Sequence, residues 1–124
     1  MDVHLRRRIA ITALAATAVG ELLFPHGTAT AVDGGVKPAT RTVTIEGTRF
    51  DPETLDVRVG DSIVWINKDP FPHTATSTAG AFDSHEIAAD KSWTFTATKS
   101  GAFPYVCAFH PTMKGVIRVS AEKR

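Results

Sequence analysis

A chain of 124 residues is one domain's worth, and 43% hydrophobic residues with a mean hydropathy of −0.04 give it enough apolar material for a packed core. Its formal net charge of +1 excludes the strongly basic or acidic surface that would point to nucleic acid or another highly charged partner.

In chain order, the first element is an export signal. Arg6, Arg7 and Arg8 precede an apolar run from Ile9 to Val19, and Ala29-Thr30-Ala31 follows as a small-x-small cleavage site. This is the three-part layout of a bacterial secretory signal. Glu21 interrupts the apolar run, which is too short to span a bilayer comfortably. Residues 1–31 are therefore expected to be removed on the way to the periplasm or another exported location, the alternative being an uncleaved anchor. Cleavage removes three arginines and two acids and leaves a nearly neutral domain with no segment for membrane insertion. Both Sec and twin-arginine export remain open. His4 and His26 are lost with the signal.

Residues 32–40, with Asp33-Gly34-Gly35 and Pro38, read as a flexible lead-in, and residues 41–124 as the functional domain. Arg41 to Ile45 and Leu55 to Val59 alternate polar and apolar residues, each with one face for a core and one for water. Gly60-Asp61 turns the chain. Ser62 to Asn67 is almost continuously apolar, as a strand between two packed layers should be. Ser92 to Ala97 alternates again, Lys99-Ser100-Gly101 turns, Ala102 to Cys107 runs extended, and Val116 to Val119 closes the domain. Trp65 and Trp93 are expected in the core. Pro104 cannot donate a ladder hydrogen bond, so its strand should be irregular or edge-like there. Short strands separated by Gly, Pro and Asp turns, with no long helical period, predict an all-β antiparallel sandwich.

The chemistry lies near the C-terminus. Tyr105-Val106-Cys107-Ala108-Phe109-His110-Pro111-Thr112-Met113 places a thiol, an imidazole and a thioether at three-residue steps around the only cysteine. Thiolate and thioether are soft ligands that hold Cu(I), and imidazole suits Cu(II) as well; two histidines and a cysteine in a trigonal plane with a weak axial methionine make a blue-copper centre. The second histidine must come from elsewhere, and His73 in Phe71-Pro72-His73-Thr74, between two strand-like segments, is the candidate. Zinc is the nearest chemical competitor, but a structural zinc site more often recruits a second cysteine or a carboxylate where this loop offers Met113. Metal ligation also explains an unpaired cysteine in an exported protein, where thiols tend to pair. His85, beside Asp83 and Glu86, reads as a solvated histidine rather than a ligand.

The Phe-Pro-His-Thr segment, followed by Tyr-Val-Cys-x-x-His-Pro-x-Met-Lys-Gly and a short apolar strand, resembles the cupredoxin family over about Arg41 to Ser120. Within that family the resemblance is closest to the amicyanin and plastocyanin group, and the seven-residue Cys-to-Met loop is similar to the short loop of amicyanin rather than the longer one of plastocyanin. The resemblance implies a Greek-key β-sandwich with the copper loops gathered at one end, and one type 1 copper cycling between Cu(I) and Cu(II). It also implies His73, Cys107 and His110 as equatorial ligands, Met113 as the axial one, and His110 as the ligand nearest the surface. The implied function is that of an exported monomeric carrier, not an enzyme, taking single electrons from a donor such as a dehydrogenase to an acceptor such as a c-type cytochrome. Copper binding or delivery is the alternative. A multicopper oxidase or nitrite reductase would need further histidine clusters such as His-x-His pairs, and the sequence has none. Phe71, Phe109 and Pro111 flank the expected ligands and are candidates for an apolar docking rim, ordinary loop packing being the other reading.

Two departures from the family bear on the site. Cupredoxins often carry Asn after the first histidine and Ser or Thr after the cysteine, where this chain has Thr74 and Ala108. Ala108 has no hydroxyl with which to tie the two loops together, which leaves the Thr74 N–H as the group able to reach the Cys107 sulfur. Phe109 stands where relatives have proline, and its free N–H is expected to reach the same sulfur.

Overall fold

The computed structural model describes residues 34–121; the expected export signal, with His4 and His26, lies outside the described residues. Among the described residues there are eight strands and no helix. These are β1 (Thr40–Ile45), β2 (Phe50–Asp51), β3 (Thr54–Arg58), β4 (Ser62–Asn67), β5 (Thr76–Ser77), β6 (Ser92–Thr96), β7 (Gly101–Val106) and β8 (Lys114–Ser120). They form two four-stranded sheets, ordered β2-β1-β4-β6 and β3-β8-β7-β5. The all-β sandwich is as expected, but β1 and β4 run parallel, as do β3 and β8, so each sheet is mixed rather than purely antiparallel.

Alternation decides which side chains enter the core. Val43 and Ile45 of β1, Ile63, Trp65 and Asn67 of β4, and Ile117 and Val119 of β8 are buried, while their neighbours face outward. Trp65, with no solvent exposure, packs edge-on against Tyr105 of β7 at 5.5 Å between ring centroids, and lies 5.5 Å from both Phe82 and Trp93. Burying a ring of this size removes roughly 150–250 Å² from water and contributes about 4–6 kcal/mol by area, so this cluster dominates the core.

The corner before β4 is built by Asp61. Its Oδ1 accepts the Ala39 N–H at 2.8 Å and its Oδ2 the Arg58 N–H at 2.9 Å, which closes the turn through Gly60 (φ 98°) and ties the end of β3 to the start of β1. Those two N–H donors, Ala39's first, outweigh burial and hold the Asp61 carboxyl below its ordinary value. Pro104 lies within β7, opposite Val116 of β8. On its other side the β5 pairing ends at Ser77 and Tyr105, and beyond it the Pro104 carbonyl accepts the Thr78 N–H at 3.0 Å while the ring nitrogen has no N–H to return.

Two features aim the sandwich at one end. The register sets Ile45 beside Asn67, so β1 and β4 finish together. The register of β7 and β8 sets Tyr105 opposite Gly115, and a Cβ on Gly115 would lie 2.5 Å from the Tyr105 ring, so only glycine lets β8 begin this close to β7.

Candidate metal centre

Cys107 directly follows β7 and Met113 directly precedes β8, and the loop between them is tied by its own backbone. The Cys107 N–H donates to the Met113 carbonyl at 3.1 Å, His110 N–H to the Cys107 carbonyl at 3.2 Å, and Met113 N–H to the His110 carbonyl at 2.8 Å. Cys107 is fully buried and unpaired, Met113 is buried, and His110 is half-buried.

His73 arrives from the loop after β4. Its backbone exchanges two hydrogen bonds with Ile87, at 3.1 and 2.8 Å. The approach to it is held by the buried amide of Asn67, whose Nδ2 donates to the carbonyls of Phe71 and Ile87, both at 2.9 Å, and whose Oδ1 accepts the Asp69 N–H at 3.0 Å. Every hydrogen-bonding role of this buried side chain but one acceptor site is filled.

The geometry brings His73, Cys107 and His110 together, with one donor atom from each lying within 4.8 Å of the others. Nδ1 of His73 is 3.6 Å and Nδ1 of His110 is 3.8 Å from the Cys107 sulfur. A first-row metal roughly 2.0 Å from nitrogen and 2.3 Å from sulfur, with an angle of about 120° between them, sets those atoms about 3.7 Å apart. Both nitrogen–sulfur distances therefore suit such an ion. His73 has no solvent exposure while His110 is half-buried, which makes His110 the more accessible imidazole.

Thr74 joins the two loops. Its N–H donates to the Cys107 sulfur at 3.3 Å, as expected from the sequence. Its hydroxyl also accepts the Ala108 N–H at 2.8 Å and lies 2.9 Å from the Thr76 hydroxyl. The link that Ala108 cannot make with a side chain is thus made in reverse, by its backbone. The second N–H expected at the sulfur, from Phe109, is not formed among the described residues.

The far side of His73 is occupied by a carboxylate that the sequence reading did not single out. Asp69 Oδ2 lies 2.7 Å from Nε2 of His73, and Asp69 also accepts the N–H groups of Gly47 and Thr48 at 2.7 and 2.9 Å. Burial pushes the Asp69 carboxyl up, but the Thr48 and Gly47 N–H groups and His73 together outweigh it and hold it below its ordinary value. A carboxylate only accepts, so the proton sits on Nε2 and the Nδ1 lone pair faces the sulfur.

The rim is aromatic. Phe71 is 42% and Phe109 51% exposed, and the Phe71 ring lies 5.1 Å from the His73 ring and 6.0 Å from that of His110. His85 stands apart, exposed beside Asp83.

The sequence matches the family described as "Cupredoxin-like domain" over residues 11–119. Amicyanin of Paracoccus denitrificans is 30% identical over 100 residues, covering 77% of this chain and 72% of that protein. The structure of a reduced proline-to-phenylalanine variant of amicyanin aligns with a TM-score of 0.61 at 29% identity, covering 74% of this chain and 88% of that one. The copper-containing nitrite reductase of Thermus scotoductus SA-01 aligns with a TM-score of 0.63 at 30% identity, over 68% of this chain but 23% of the enzyme.

Proposed function

The chain belongs to the cupredoxin-like family, and we propose from that membership and the site geometry that it is an exported carrier of single electrons, with His73, Cys107 and His110 as equatorial copper ligands and Met113 as the axial one. At the coarser level it is a blue copper electron-transfer protein whose cofactor is one type 1 copper ion. When bound, that ion supplies a one-electron Cu(II)/Cu(I) couple.

The observation that carries the ligand assignment is the facing of both Nδ1 atoms toward one sulfur at 3.6 and 3.8 Å. The remaining contributions come from the chain itself. The Thr74 N–H partly neutralises the thiolate, the closed 107–113 loop fixes its spacing, and burial keeps water from the donors. Donors held in one arrangement change little between the two oxidation states, and small rearrangement makes for fast transfer.

Carriage is favoured over delivery because Cys107 and His73 are fully buried and anchored, whereas handing copper to an acceptor requires donors that exchange at the surface. It is favoured over an enzymatic role because the likeness spans 72% of an amicyanin and 23% of a nitrite reductase. Phe71 and Phe109 form the apolar rim through which the half-buried His110 would meet a partner. The donor would be a redox enzyme such as a dehydrogenase and the acceptor a c-type cytochrome, in the periplasm. Among the described residues no helix is long and apolar enough to cross a membrane.

The test is redox cycling of the copper protein in the presence of a Cu(I) chelator. Repeated one-electron reduction and oxidation with the copper retained supports a carrier. Transfer of the copper to the chelator within a few turnovers would overturn it in favour of delivery.

A further inference from the structure

We propose that Asp69 and the Gly47–Thr48 turn form a positioning device for His73, which sets the direction of its imidazole and biases the copper site toward the oxidised state. The inference rests on the reading of His73 as a copper ligand and adds to it a carboxylate and a turn that would not bind the metal themselves.

Gly47 and Thr48 connect β1 to β2, and both adopt left-handed backbone, with φ of 60° and 58°. Two such residues in succession turn their N–H groups toward the same side and make a concave anion site. Glycine adopts this conformation freely, but Thr48 is β-branched and costs energy there, so something must hold it. The carboxylate of Asp69 does so, with Oδ1 on the Gly47 N–H at 2.7 Å and Oδ2 on the Thr48 N–H at 2.9 Å. Asp69 is itself nearly buried, with 7% exposure, and its backbone N–H is fixed by Asn67 at 3.0 Å.

The same Oδ2 accepts the hydrogen bond of the His73 Nε2–H at 2.7 Å. Ring rotation and tautomer are thereby fixed together, since the alternative tautomer would set two acceptors against each other. A carboxylate hydrogen-bonded to the far nitrogen of a metal-binding imidazole makes the near nitrogen a stronger donor, and outer partners of this kind typically alter metal affinity by about 10–100-fold. Cu(II) depends on that donation more than Cu(I) does. The carboxylate should therefore lower the reduction potential.

Asp69→Asn tests this. The amide keeps an oxygen for Nε2–H and removes the charge, while its NH2 group would oppose the Gly47 N–H. Chelator competition should show Cu(II) affinity falling roughly tenfold or more with Cu(I) affinity falling less. The potential should rise, and the blue spectrum should be retained. Equal losses in both oxidation states, or an unchanged potential, would overturn the proposal.

A measurement on the unaltered protein does not depend on the variant folding. In the reduced, diamagnetic copper protein, NMR should find the His73 proton on Nε2, in slow exchange with water and close to the amides of Gly47 and Thr48. A His73 Nε2 proton that exchanges rapidly, or that lies far from those amides, would overturn it. Should His73→Gly leave the blue spectrum of the copper protein intact, the ligand reading itself would fail. An unchanged potential in a blue Asp69→Asn protein would remove only the positioning role.

Discussion

The Thr74 hydroxyl accepts the Ala108 N–H at 2.8 Å, so the loop that carries His73 and the loop that carries Cys107 are joined by a single residue that also donates its N–H to the cysteine sulfur at 3.3 Å. Replacing Thr74 with valine keeps the shape and the N–H but leaves the Ala108 donor without its partner. Losing a part-buried hydrogen bond of this kind should cost about 1 kcal/mol, and Thr74→Ser should cost less because the acceptor remains. Chemical denaturation of the three proteins checks this. Equal stability of the valine and serine variants would show that the hydroxyl does not tie the loops.

Met113→Leu should keep the intense colour of the copper protein and raise its reduction potential. The thioether is read as the weak axial donor, which Cu(II) needs more than Cu(I) does. Voltammetry alongside the visible spectrum decides the point. Loss of colour in this variant would mean that Met113 is not axial.

Gly115→Ala should be costly although it adds one methyl. The new Cβ would lie 2.5 Å from the Tyr105 ring, whose side chain is fully packed between the sheets and has no room to retreat. Overpacking of this kind costs about 1–3 kcal/mol, which lowers the melting midpoint by roughly 5–15 °C in a domain of this size. A melting curve identical to that of the parent would contradict the packing described for the β7–β8 pair.

Asp61 predicts how the fold responds to acid. The Ala39 N–H, then the Arg58 N–H, hold its carboxyl below the ordinary 3.8 in the folded protein. On acidification the unfolded chain therefore takes up this proton first. The stabilisation is complete at neutral pH, begins to fade as pH approaches 3.8, and is gone once pH has fallen through the folded value. Asp61→Asn should cost about 1.5–3 kcal/mol at neutral pH, and the gap between parent and variant should narrow as pH falls below about 4. A gap that stays constant between pH 6 and 3 would show that this carboxylate is not what the turn depends on.

Much of this was legible in the chain. Cys107, His110 and Met113 lie on one short stretch, so their grouping needs no long-range information, and the period-two alternation of β1, β3 and β6 marks one core face on each strand. What escaped reading did so for physical reasons. β2 and β5 contain two residues each, too few for any period to show. Alternation is the same in parallel and antiparallel pairs, so the parallel pairing of β1 with β4 and of β3 with β8 left no mark. Asp69 precedes His73 by four residues, but in an irregular loop that spacing specifies no contact; the bond exists because Asn67 bends the segment and the Gly47–Thr48 turn supplies donors from another strand connection. The Thr74–Ala108 link exchanges side chain for backbone, which residue types alone do not reveal.

The central claim is that His73, Cys107 and His110 hold one type 1 copper. Visible and EPR spectra of the copper-loaded protein, with Cys107→Ser as the control, test it most directly. An intense thiolate-to-Cu(II) charge-transfer band with narrow copper hyperfine splitting is expected in the parent, and loss of that band in the serine variant, whose hydroxyl cannot replace the thiolate. A protein that stays colourless with Cu(II), or that retains only zinc, would contradict it.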